Sequence, residues 1–151
     1  GNMAFQYRTI SEGDKLSSLL ANACPVPEAV VTGLMELFIN AVEHGNLNIS
    51  YEEKTTLVGN GRWQAEVDQR LELPENASKK VDVQFKRTEK EISFYVRDQG
   101  KGFEWEPFLE FSTGERAFHN HGRGIAMANK LSFDSVEYLG NGNKVLAMLK
   151  I

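Results

Sequence analysis

The sequence predicts an α+β domain: a two-layer sandwich with a mixed, mostly antiparallel sheet covered on one face by helices. Three observations predict it. First, Val81, Val83 and Phe85 alternate with Asp82, Gln84 and Lys86, and Ile92, Phe94 and Val96 alternate with Ser93, Tyr95 and Arg97. Alternation gives each strand one buried and one wetter side, as in an antiparallel sheet with helices on one face. Second, Leu34 to Asn46 reads as a helix that is apolar around most of its circumference, through Leu34, Met35, Leu37, Phe38, Ile39, Ala41 and Val42, so it is buried on several sides. Third, helices, strands, a helix and strands follow one another in runs rather than in strict alternation.

Each element has a local reason. Phe5, Tyr7 and Thr9 alternate with polar neighbours and suggest a short first strand. Ser11 is a candidate helix cap, with Asp14 as its capping-box partner. Leu16, Leu19, Leu20 and Ala23 continue that helix until Pro25. Pro27 suits the first turn of the central helix, where its missing N–H costs nothing, and Gly45 is expected to end it. Tyr51 to Leu57 can be helical, Gly59-Asn60-Gly61 is a break, and Trp63, Val67 and Leu71 mark a second amphipathic helix stopped by Pro74. Trp63 reads as an anchor packing this pair on the domain, with a partner-docking surface as the alternative. Residues 87–91 turn between the two alternating strands. From Phe103 to His121 periodicity is lost. Residues 124–131 read as a helix with Ile125, Ala128 and Leu131 on one face. Residues 135–139 and 144–151 form a last hairpin around Gly140-Asn141-Gly142-Asn143.

At 151 residues the chain is one domain with room for a proper core. Hydrophobic content of 41% and charged content of 25% are ordinary for a soluble globular protein. A net charge of −4 and a pI near 5.4 argue against nucleic-acid binding, which usually wants a basic face. Cys24, the single cysteine, excludes an internal disulfide and a cysteine-rich zinc site. No apolar run has membrane-spanning length and no signal peptide is visible, so the expected location is the cytoplasm. Gly1-Asn2 ahead of Met3 reads as an expression scar. The expected domain is therefore 4–151, with a helical insert at about 46–80.

The central helix carries one polar stripe: Glu36, Asn40, Glu43 and His44. It faces solvent, buried partners or a ligand. Two further segments bear on the choice. Asp98-Gln99-Gly100-Lys101-Gly102 follows a strand, and Gly122-Arg123-Gly124-Ile125 opens a helix. Each alone is weak, since Asp-x-Gly after a strand is usually just a turn. In this order and spacing the three resemble the nucleotide site of the GHKL (histidine-kinase-like) ATPases. The wording Glu36-Leu37-x-x-Asn40-Ala41-x-x-His44-Gly45 is most similar to the anti-sigma-factor serine/threonine kinases. The resemblance covers about Phe5 to Ile151 and implies the Bergerat-type ATP-binding fold, with nucleotide held between the helices and a flexible lid.

Phosphoryl transfer needs a metal on the triphosphate, a holder for the phosphates and a group to orient the attacking oxygen. Magnesium favours oxygen ligands and keeps waters, so one protein ligand plus phosphates suffices. The side-chain oxygen of Asn40 can serve, and the resemblance assigns it that role. Glu36, one turn earlier on the same face, can accept the proton of a hydroxyl or water. His44 either contacts phosphate or shapes the helix end. Asp98 can accept the exocyclic amine of adenine, as the matching aspartate of the family does in selecting ATP, and Gly100 and Gly102 let backbone approach the base. Gly122, Arg123, Gly124 and Ile125 would supply helix-terminal N–H groups and charge for the phosphates; Arg123 could equally be a surface residue. The segment between Gly102 and Gly122 would be the lid. A zinc site from His44, His119 and His121 is disfavoured, and no G-x-x-x-x-G-K-[ST] supports a P-loop.

The resemblance thus implies ATP and Mg2+ as cofactors and an anti-sigma-factor antagonist-type protein as phosphoryl acceptor. It allows a sigma factor as second partner, a homodimer, and a receiver or phosphatase domain fused or upstream; it gives no role to nucleic acid or membrane. Two departures stand out. Relatives often carry Thr near the adenine where this chain has Gly142-Asn143, and the 46–80 insert is longer than in the compact anti-sigma kinases. Two other functions keep the same pocket: a non-catalytic module whose nucleotide state sets partner affinity, and an ATP-hydrolysing domain of a larger signalling protein. A histidine autokinase is disfavoured, since no phosphoacceptor helix pair precedes the domain.

Overall fold

A computed structural model describes residues 1–101 and 132–151. In chain order they form β1 (Asn2–Tyr7), α1 (Ile10–Ala21), α2 (Pro27–Asn40), a π-helical turn (Ala41–Asn46), α3 (Tyr51–Gly59), α4 (Trp63–Leu71), β2 (Val81–Arg87), β3 (Glu91–Arg97), β4 (Ser135–Leu139) and β5 (Lys144–Lys150). The helix expected over 124–131 lies outside the described residues.

The five strands make one sheet in the order β1-β2-β3-β5-β4. Every neighbouring pair among the described residues is antiparallel, and the α+β, mostly antiparallel expectation holds. The register explains the core. Phe5, Val83, Val96, Val145 and Tyr138 stand opposite one another across all five strands, and so do Met3, Phe85, Phe94, Ala147 and Val136. Apart from the two β1 residues at the edge, these columns are buried, and the helices pack on that side. The opposite side carries Gln84, Tyr95 and Glu137 in its own column. The alternation read from the sequence is therefore this pleat.

The helical layer sits on the buried columns. α1 is capped two residues earlier than expected. Thr9, not Ser11, is the N-cap: its hydroxyl accepts from the Glu12 N–H at 3.1 Å, while Glu12 Oε1 accepts from the Thr9 N–H at 2.9 Å. Glu12 thus takes the capping-box role expected of Asp14, and the first strand stops at Tyr7. Pro27 opens α2 as expected. Val30, Gly33, Leu34, Leu37 and Phe38 form its buried side. Tyr7 clamps α2 to β1 with a ring contact to Phe38 and a 2.7 Å hydrogen bond from its hydroxyl to the Phe38 carbonyl.

The 46–80 segment holds the two expected helices. Ser50 caps α3 through a capping box with Glu53. Arg70 of α4 straps the pair down, donating to the Leu47 and Asn48 carbonyls and pairing with Glu53 and Glu66. Val67 and Leu71 are buried, and Trp63 packs against the core as the anchor reading expects. No helix among the described residues is long and apolar enough to cross a membrane.

Gly33 lets α2 pass directly over the chain that enters β4. A Cβ there would lie 2.5 Å from Ser132 Oγ and 2.8 Å from Phe133 Cε2. Gly33→Ala gains about 1 kcal/mol of helix propensity but incurs about 1–3 kcal/mol of overpacking. The expected net outcome in urea denaturation is a less stable protein with an unchanged m-value.

Candidate functional site

The site forms where α2 ends against the loop after β3. Gly45 does not terminate the central helix as expected. The chain passes from α2 into the π-helical turn without a break and leaves it only after Asn46. The Leu47 N–H bonds the Val42 carbonyl at 2.9 Å, five residues back, and the Ile49 N–H bonds the Glu43 carbonyl at 2.8 Å. Such wide turns occur frequently at functional sites. What Gly45 supplies is clearance. A Cβ on it would sit 2.5 Å from Asp98 Oδ2, and a Cβ on Gly100 would sit 2.6 Å from the Gly45 carbonyl carbon.

The loop is tied on three sides. Asp98 N–H donates to the Asn143 carbonyl at 2.9 Å. Gln99 N–H donates to Asn46 Oδ1 at 2.7 Å. Gly100 N–H turns back to Asp98 Oδ1 at 2.8 Å. The Gln99 side chain in turn accepts from the Lys80 N–H at 2.6 Å. These bonds hold Asp98 at the helix end. Asn40 and Asp98 line one hollow together with Tyr138, Gly142, Asn143 and Lys144.

Of the sequence-predicted site residues, Asn40, Asp98 and Gly100 therefore meet at this corner. Asn40 is 8% exposed, and its side-chain Nδ2 is buried with no hydrogen-bond partner among the described residues. The amide nitrogen is thus uncommitted to described protein groups. Among the described residues no group of three or more His, Cys, Asp or Glu could hold a metal ion. Asn40 offers one side-chain amide at a hollow of about 20 Å³, and a hydrated divalent cation whose shell is completed by phosphates needs only one such protein ligand. Glu36 lies one turn before Asn40 on the same helix face, outside the lining of this hollow. Burial raises its pKa, with Lys54 opposing the rise, which moves it toward the range of a general base at neutral pH.

His44 is buried, bonded through Nδ1 to the Ile49 carbonyl and stacked on Tyr51 with ring centroids 3.8 Å apart. Those contacts fit the reading in which it shapes the helix end. Gly102, Gly122, Arg123, Gly124 and Ile125 lie outside the described residues, as do His119 and His121.

Sequence reasoning missed three contributors. Asn46 holds the Asp98 loop, and nothing local marks it. Asn143 acts through its main chain, which no side-chain pattern reports. Lys54 reaches the polar stripe from α3, bonding Glu43 at 2.7 Å; only the Glu43 end was visible, as part of the stripe.

Asp98 is strongly displaced from ordinary carboxylate behaviour. Burial raises its pKa from 3.8 to about 7, while the Gly100 N–H and Lys79 pull it down. A carboxyl so placed is a strong acceptor with little water around it, suited to a ligand N–H. A profile of the histidine kinase-like ATPase domain matches residues 16–150 of this chain. No curated protein matches it.

Between about pH 4 and 7 the folded Asp98 keeps a proton that the unfolded chain has released, so rising pH favours unfolding over that window and has no further effect through this group above it. Asp98→Asn removes the dependence. Denaturant titrations are expected to show the stability difference moving in favour of the variant from pH 4 to 7 and then levelling off. A difference that stays flat across the window would contradict the assignment.

Proposed function

The chain belongs to the histidine kinase-like ATPase domain family, and from that premise we propose that it is an ATP-dependent serine/threonine protein kinase of the anti-sigma-factor type. Its acceptor is a regulatory protein of the antagonist class, phosphorylated on a hydroxyl. The observation that carries the reading is the convergence of Asn40 and Asp98 on one hollow, with Glu36 one turn away along α2.

The residues divide the task. Asp98 accepts the exocyclic amine of adenine, and Gly45 and Gly100 let the helix end and the loop backbone meet closely enough to place it. Asn40 would hold magnesium through its side-chain oxygen; the ion supplies charge neutralisation for the triphosphate. Glu36 takes the proton of the acceptor hydroxyl as the hydroxyl oxygen bonds to the γ-phosphorus and the bond to the β,γ-bridging oxygen breaks, leaving ADP. Burial raises its pKa, which strengthens it as a base.

The test separates binding from chemistry. Glu36→Ala is expected to bind ATP within about twofold of the parent and to lose transfer to partner serine by about 10²-fold or more, the usual scale of a general base. Asn40→Ala is expected to lose the magnesium-dependent part of ATP affinity. Radiolabel transfer and calorimetry read the two. Transfer by Glu36→Ala at the parent rate would remove Glu36 from the mechanism; phosphate release without protein labelling would make the domain a hydrolase.

A further inference from the structure

Glu43 is the most deeply buried acid among the described residues, at 0% exposure. It sits three residues after Asn40 in the same continuous helix. Lys54 Nζ donates to its Oε2 at 2.7 Å. Its carboxylate also feels a hydrogen bond from the Trp63 side chain, and His44 Nε2 lies 3.6 Å from Oε2. Lys54 is itself largely enclosed, with a side chain 15% exposed, and its ammonium lies 5.2 Å from the Trp63 ring centroid. A fully buried carboxylate whose charge partner is Lys54, enclosed by Trp63 and His44, is an expensive arrangement. An apolar pair would serve packing at least as well. The stripe holding Glu43 also carries Glu36 and Asn40, and the positive charge of Lys54 lowers the pKa of Glu36 as well.

Both halves of the clamp come from different places. Glu43 belongs to the π-helical turn, whose main chain is pinned by Ile49. Lys54 belongs to α3 and Trp63 to α4, the two helices of the 46–80 segment. We propose that Lys54 is a positioning residue: locked on Glu43, it fixes the turn that aims Asn40 and makes magnesium-dependent triphosphate binding depend on docked α3 and α4. The inference rests on the reading of Asn40 as the metal ligand given above. It gives the 46–80 segment a task in the site rather than beside it.

The test is calorimetric titration with three probes: ATP with magnesium, ATP with EDTA, and adenosine. Lys54→Met is expected to weaken magnesium–ATP binding about tenfold, the usual effect of removing a residue that orients a metal ligand. Adenosine affinity is expected to stay within about twofold of the parent, and Lys54→Arg to recover most of the loss. Equal weakening of all three probes, or none, would overturn the proposal. Where Lys54→Met folds poorly, the double variant Glu43→Gln with Lys54→Met removes the buried charge as well. A persisting selective loss there supports the clamp; full recovery of magnesium–ATP affinity overturns it. Asn40→Ala stands as the control. Undiminished magnesium–ATP binding by that variant would refute the metal reading itself, whatever the Lys54 variants do.

Discussion

The site depends on the close contact between the end of the central helix and the loop that leaves β3. Gly45 and Gly100 meet backbone to backbone, with the Asp98 carboxylate against Gly45. Two side chains far apart in sequence, Asn40 and Asp98, then share one hollow. Widening the helix by a π-turn delivers Gly45 to this point while keeping Asn40 on the inner face. The bonds from Gln99 to Asn46 and from Asp98 to Asn143 hold the loop in place from both layers.

That corner is electrostatically costly. Moving the Asp98 carboxyl from 3.8 to about 7 corresponds to roughly 4 kcal/mol of preference between its protonation states. Glu43 is fully buried and Glu36 partly so, and burial raises both. Such concentrations of perturbed acids are typical of functional clefts. The remainder of the fold offsets the cost by ordinary means: two columns of apolar side chains across the sheet, a buried side on α2, and well-formed caps on α1 and α3.

Much of this was legible in the sequence because it is periodic. β2 and β3 alternate cleanly, and α4 follows the spacing of Trp63, Val67 and Leu71. The misreadings have physical causes. Ser11-x-x-Asp14 and Thr9-x-x-Glu12 both fit a capping box, and the longer Glu side chain reaches back to the cap N–H where Asp would fall short. A glycine after a helical run usually ends the helix, whereas Gly45 was selected by the room Asp98 leaves. The stripe from Glu36 to His44 was visible, but its division into Asn40 at the hollow, Glu43 on Lys54 and His44 on Tyr51 is set by long-range packing. The phosphate-binding roles expected of Gly122 to Ile125 lie outside the described residues.

The tether from Asp98 to the last hairpin has its own consequence. It is made by the carbonyl of residue 143, and every amino acid has one. The tip of that hairpin can therefore drift in sequence without loosening the acid it supports. Exchanging Asn143 for another residue would keep the same anchor, because the tether asks nothing of the side chain.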